Sequence, residues 1–285
     1  MVPGNEKTAM REYTVVLGGQ RYRLLRPWPS TDFDANGITD VAVMEDGRIV
    51  ALMRSSPELR VFRPNGEPDA EWKTPGIVSA HYLNARPGGG LLLADWDGHQ
   101  VLAFDSNGNH DWTIGDPGKP SWNAPFSHPT SAAEGSDGRI YVSDGYGNFN
   151  LHIFDAQRKL IKTIGKPGAG KSEFSTPHCV VVGDDDRVFV ADRENNRVQI
   201  FSREGEWLGQ YGNLYKPMSL ALMPDGKLLV TDQTPSLSLF SENGERLGRL
   251  RTAGMYGHGL SYAKDGCIYV SEMLPSNLIK LIPIE

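Results

Sequence analysis

Cysteine is scarce: Cys179 and Cys267 are the only two, and neither belongs to a CxxC pair. That excludes a disulfide framework and leads us to expect a reducing compartment. No apolar run approaches the roughly 18 residues of a membrane helix, and the N-terminal MVPGNEKTAMREYTVV lacks the apolar core of a secretory signal. A cytoplasmic protein is expected, although removal of a leader would leave the same sequence. Runs of Lys and Arg are missing and the net charge is −6, so neither nucleic acid nor an anionic membrane is an expected partner.

Turn chemistry, by contrast, is plentiful. Thirty-two Gly and 19 Pro, dispersed over 285 residues, suit many short strands joined by tight turns. One pattern recurs six times: an apolar strand, an Asp/Gly-rich turn, and a second apolar strand ending in small and acidic residues. The copies are VAVMEDGRIVALMR (41–54), YLNARPGGGLLLAD (82–95), SAAEGSDGRIYVSD (131–144), CVVVGDDDRVFVAD (179–192), SLALMPDGKLLVTD (219–232) and GLSYAKDGCIYVSE (259–272). A third strand such as VLAFD, LHIFD or VQIFS follows, then a short fourth. The copies end at Arg54, Asp95, Asp144, Asp192, Asp232 and Glu272, which are 41, 49, 48, 40 and 40 residues apart. That period belongs to four-stranded propeller blades.

The predicted fold is therefore all-β, a six-bladed β-propeller whose blades resemble the NHL type, with one domain over 1–285. The blades fall roughly at 38–75, 78–115, 128–165, 176–212, 215–251 and 257–285. The sixth copy reaches LIKLIPIE without an outer strand, and the strand-like YTVVLGGQRYRLL (13–25) is expected to pair there and close the ring. The ring is expected to be a monomer.

The first strand of each blade lines the central channel. Fourteen residues back from each repeat end stand Asp40, His81, Thr130, His178, Met218 and His258, so histidine occupies blades two, four and six. Alternate blades of a six-fold ring place three imidazoles about 120° apart around one axis, which suits a metal. Three neutral nitrogens leave a coordination position open, as in catalytic zinc; iron, copper and nickel also accept imidazole. His128, two residues before Thr130, is expected nearer the channel mouth, where it touches substrate. His99, His110 and His152 are expected at the surface.

Longer motifs surround these histidines: SAHYL before LLLADWDGHQV, HPTSAAEGSDGRIYVSDGYGN, and TPHCVVV before VFVADRENNRVQIF. Together they resemble the catalytic core of the peptidyl-α-hydroxyglycine α-amidating lyases over about residues 38–272, most sharply at SDGY and ADREN. The resemblance implies a three-His zinc site at His81, His178 and His258, an active-site tyrosine at Tyr146, and functional arginines at Arg54 and Arg193. It also places a methionine near the third histidine, where this chain has Met255, three residues before His258, and Tyr256. A structural calcium is implied on backbone carbonyls matching Val41 and Leu83 and on a carboxylate after the third histidine. That position is Gly259 here, leaving only Asp40 as a replacement. A disulfide of the family's secreted members matches Gly147 and Ile200, in keeping with a reducing compartment.

Arg54 stands out further because it occupies a repeat end where the other five copies carry Asp or Glu. The implied chemistry is cleavage of a small carboxylated α-hydroxyamide to an amide and glyoxylate. The metal acts as Lewis acid, Tyr146 as base, and Arg54 and Arg193 as the carboxylate grip. Two other classes remain open, a non-enzymatic NHL scaffold that binds protein and a propeller hydrolase or lactonase.

Overall fold

The computed structural model describes residues 11–29, 37–54, 58–74, 76–122, 125–252, 256–274 and 276–285. Its strands form six antiparallel sheets, five of four strands and one of five. Each sheet is one blade. Inner strands run Ile38–Val43, Ala80–Ala85, Ser131–Glu134, Pro177–Val182, Pro217–Leu222 and Gly257–Tyr262. The second strands Ile49–Met53, Leu91–Asp95, Ile140–Asp144, Val188–Asp192 and Leu228–Asp232 are buried at every position. Neighbouring blades cover both their faces, so they read as continuous apolar runs; outer strands such as Leu160–Ile164, with one face in water, do not.

The core is a ring of seams between successive blades. Val50 and Leu59 of blade 1 pack on Leu91 and Leu102 of blade 2. Val101 and Ala103 of blade 2 meet Val142 and Phe154 of blade 3, and the pattern continues around the ring. The ring closes as expected, with one refinement. Gly18 and Gly19, at φ of 59° and 85°, break the segment 13–25 into a hairpin. Gln20–Arg26 pairs with Ser276–Ile284, and Arg11–Leu17 adds a fifth strand to blade 6. No helix among the described residues is long and apolar enough to cross a membrane.

The acids that end the second strands organise the loops at one mouth of the channel. Asp95 accepts the N–H groups of Val78 and Ser79 at 3.0 and 2.7 Å, Asp144 those of Ser127 and His128 at 2.9 and 3.0 Å, and Asp192 that of Ser175 at 2.8 Å. Each carboxylate is buried, and the donors offset its desolvation.

Blade 1 corrects the sequence register by one residue. Its ladder pairs Ile38 with Met53 and Asp40 with Leu52, so Thr39 forms the bulge that His81, His178, Met218 and His258 form in their blades. Thr39, not Asp40, holds the axial position. Met53, not Arg54, holds the acid's slot. Arg54 comes one residue later, and its N–H bonds Gly37 O just as that of Arg193 bonds Thr176 O. The two arginines thus occupy equivalent places in blades 1 and 4, on opposite sides of the ring.

Leu17, Tyr22 and Leu24 of the closing strands are 1, 5 and 2% exposed within the seam between blades 5 and 6. Losing three such side chains costs roughly 5–9 kcal/mol, comparable to the whole stability of a domain. Deletion of residues 1–26 is therefore expected to abolish the cooperative transition in scanning calorimetry. A deleted protein that melts within a few degrees of the full chain would rule out this role.

Candidate metal centre and channel mouth

His81, His178 and His258 stand at the starts of three alternate inner strands and are 1, 0 and 3% exposed. Their ring centroids are 5.0, 5.1 and 5.3 Å apart, and one ring nitrogen of each lies within 4.8 Å of the other two. The outward nitrogens follow one rule. His81 Nδ1 lies 2.7 Å from Thr130 O, His178 Nδ1 2.9 Å from Met218 O, and His258 Nδ1 2.9 Å from Thr39 O. A carbonyl only accepts, so each Nδ1 carries the proton and each Nε2 keeps its lone pair.

Burial and mutual proximity hold the imidazoles of His81 and His178 well below their ordinary pKa; burial and then Arg54 push His258 down to about 3. Three neutral imidazoles with converging lone pairs fit a tetrahedral cation with one position left open. Among the described residues this is the only such cluster of His, Cys, Asp and Glu.

Tyr146 enters from the loop after the second strand of blade 3. Its hydroxyl lies 3.2 Å from His81 Nε2 and 2.9 Å from His178 Nε2, and Arg193 Nη1 donates to it at 3.3 Å. Burial raises this phenol above its ordinary pKa, and Arg193 and Arg54 pull it back. Arg193 is further held by Glu194 at 3.0 Å. The half-buried Arg54 donates from Nη2 to Thr39 Oγ1 at 3.0 Å, while its Nε is buried without a hydrogen-bond partner among the described residues. Five of the residues singled out by sequence, three histidines, Tyr146 and Arg193, thus come together, with Arg54 linked to His258 through Thr39.

Others stand apart. His128 lies at the mouth, its Nε2 3.7 Å from Asp97 and its ring 4.5 Å from that of His99. Met255 lies outside the described residues. Val41 and Leu83 donate their N–H groups to the buried Asp40 carboxylate at 2.8 and 2.7 Å. A Cβ on Gly259 would come within 2.0 Å of Asp40 Oδ1, so the Asp40 carboxylate occupies the space that a side chain at position 259 would need. His110 is exposed, as expected. His99 and His152, expected at the surface, are buried at 7 and 0% exposure, and His152 Nε2 lies 3.3 Å from Asp144 Oδ2. His152 sits on the third strand Asn150–Phe154 and His99 in the turn just before the third strand Gln100–Phe104, both covered by neighbouring segments.

Three contributors escaped the sequence. Thr39 was hidden by the register slip. Trp96 follows Asp95 in the slot that Arg193 fills in blade 4, and its ring lies 5.2 Å from that of Tyr146 and 6.3 Å from that of His81. Tyr82 fills the axis beneath the histidines, its hydroxyl 2.7 Å from Met218 O and 2.6 Å from His258 O, with the one proton given to either. Equivalence with Arg193 could have marked Trp96; nothing in the sequence marks Tyr82. A cavity of about 550 Å³ lined by Met44, Arg86 and Tyr262 opens at the other end of the axis, away from this chemistry.

Fold, repeat and axial histidines together define a six-bladed β-propeller, and a family model described as NHL repeat matches residues 174–201. Within that class the chain is homologous to proteins named peptidyl-alpha-hydroxyglycine alpha-amidating lyase and NHL repeat-containing protein 3. Human NHL repeat-containing protein 3 is 28% identical over 93% of this chain and 85% of its own length. A probable amidating lyase of Caenorhabditis elegans is 28% identical over 86% and 82%. Amidating lyase 1 of Drosophila melanogaster is 26% identical over 90% of this chain, which spans about half, 48%, of that relative. A solved structure described as a gluconolactonase of Xanthomonas campestris superposes with a TM-score of 0.71 over 98% of this chain and 96% of its own, at 14% identity, a likeness of fold.

Buried neutral imidazoles give the metal-free protein a defined pH dependence. Unfolded, each histidine titrates near 6.5; folded, it titrates lower, so between those values the unfolded chain holds more protons. This contribution is intact above about pH 6.5 and is lost as pH falls toward 3, the value for His258. Urea unfolding of chelator-treated protein is expected to lose stability below pH 6.5 at up to about 4 kcal/mol per pH unit, and His258→Gln should remove about a third of that slope. A flat profile from pH 7 to 5 would contradict the assigned protonation.

Proposed function

We propose that the protein is a metal-dependent lyase that cleaves a small carboxylated N-acyl hemiaminal, R–CO–NH–CH(OH)–COO⁻, to the amide R–CO–NH₂ and glyoxylate. One observation carries this reading. Two imidazole nitrogens and a guanidinium nitrogen each lie within 3.3 Å of one phenol oxygen, that of Tyr146, at the floor of a mouth. The homology to amidating lyases supports it.

His81, His178 and His258 would hold the cation, for which zinc is the best match to three neutral imidazoles. When bound, it supplies Lewis acidity and lowers the pKa of a hydroxyl placed beside it. The chain's own residues do the rest. Arg193 and Arg54 bind the carboxylate, and their planar forks orient it better than lysine would. Tyr146 Oη takes the proton of the substrate hydroxyl. Burial alone keeps this phenol protonated near neutrality, so its work as a base requires positive charge beside it, which the arginines supply in part. As the C–O bond becomes a carbonyl, the C–N bond breaks, the electron pair goes to nitrogen, and the proton held at Tyr146 returns there. Trp96, packed on Tyr146, restricts water at this wall.

Purified protein is expected to carry about one equivalent of divalent metal by mass spectrometry, and His178→Ala to carry almost none. Metal-loaded protein incubated with α-hydroxyhippurate should release glyoxylate. Tyr146→Phe should lower kcat by about 10²-fold or more, and Arg193→Lys should raise KM. Wild-type protein that holds no metal and turns nothing over would favour the scaffold class. Full turnover by Tyr146→Phe would remove the assigned base.

A further inference from the structure

We propose that Thr39 is a positioning residue that aims Arg54 and couples it to the imidazole cluster. This rests on the reading of Arg54 as a carboxylate grip. Thr39 is fully buried and occupies in blade 1 the axial place that histidines occupy in blades 2, 4 and 6. Its backbone carbonyl accepts from His258 Nδ1 at 2.9 Å and from Ser271 Oγ at 2.9 Å. Its hydroxyl lies 3.1 Å from His81 O and 3.0 Å from Arg54 Nη2.

Donor and acceptor roles follow without ambiguity. A carbonyl only accepts, so the hydroxyl proton goes to His81 O; a guanidinium only donates, so the remaining lone pair faces Arg54. His258 Nδ1, at 3.3 Å from the same hydroxyl, is closer to Thr39 O and gives its proton there. One residue therefore fixes the backbone at one metal-ligating histidine, the tautomer of a second, and the plane of an arginine.

The other two intervening axial residues do not share this role. Thr130 directs its hydroxyl to Pro177 O at 2.7 Å and to Ser143, and Met218 has no hydroxyl. Arg193, the counterpart of Arg54 across the ring, is oriented by Glu194 and Tyr146 instead. Among the described residues no carboxylate holds Arg54 in that way; with Nη2 held by Thr39, its other donors remain for a ligand.

The test uses hippurate, which has the carboxylate and lacks the hydroxyl, titrated calorimetrically into metal-loaded full-length protein. Thr39→Val keeps shape and carbonyl and removes the hydroxyl. It is expected to weaken hippurate binding by about tenfold or more and to raise KM for α-hydroxyhippurate equally, with kcat changed less than about threefold and metal content unchanged. Thr39→Ser should recover affinity to within about threefold. In an Arg54→Gln background, Thr39→Val should add no further loss. Thr39→Ala, with the same expected loss, replaces the valine variant should that fail to fold. Unchanged hippurate affinity in the variant, or additive losses in the double variant, overturns the inference alone. Absence of hippurate binding by the wild type removes the carboxylate reading itself, and this inference with it.

Discussion

The hydrogen bond from each axial imidazole to a backbone carbonyl of the next blade is the contact on which the centre depends. Made three times, from His81 to Thr130, His178 to Met218 and His258 to Thr39, it fixes the ring planes and leaves three lone pairs converging. Each bond contributes only about 1 kcal/mol by itself. Its greater effect is on protonation: with Nδ1 committed, a buried imidazole stays neutral with Nε2 as its free atom. Because donor and acceptor lie on different blades, the geometry exists only once the ring has closed, which ties the chemistry to the seam between the N-terminal strands and blade 6.

Much of this was legible in the sequence because propeller blades repeat. Six copies of one pattern gave the architecture, and a common count gave the three histidines. The count failed in blade 1, where VAVMEDGRIVALMR places its Asp-Gly turn one residue earlier than the three other copies that carry Asp-Gly, those of blades 3, 5 and 6. Aligning that turn, rather than the polar residue at the end, would have moved the frame to 40–53 and brought Thr39 onto the axis. Arg54 then ceases to be an exception in an acidic slot and becomes the counterpart of Arg193.

The rest was hidden for physical reasons. Whether a histidine on a third strand or in the turn before it is buried depends on the segments packed over it, which local pattern does not record, so His152 and His99 were misplaced. Asp144 and its fellow acids serve the loops, accepting backbone donors at the mouth, and Asp144 thereby holds Ser127 and His128 in place. Asp40 likewise is a buried acceptor of the Val41 and Leu83 amides, an arrangement that depends on Gly259 having no side chain.

Tyr82 bears on traffic through the ring. With its phenol wedged between Met218 O and His258 O, Tyr82 stoppers the passage under the imidazoles. The centre is a cul-de-sac: anything that reaches the three nitrogens, whether ion, chelator or organic molecule, must arrive and depart by the same door, past Arg54, Trp96 and Arg193. Under the proposed cleavage the two fragments would have to leave in sequence, the one gripped by the arginines last.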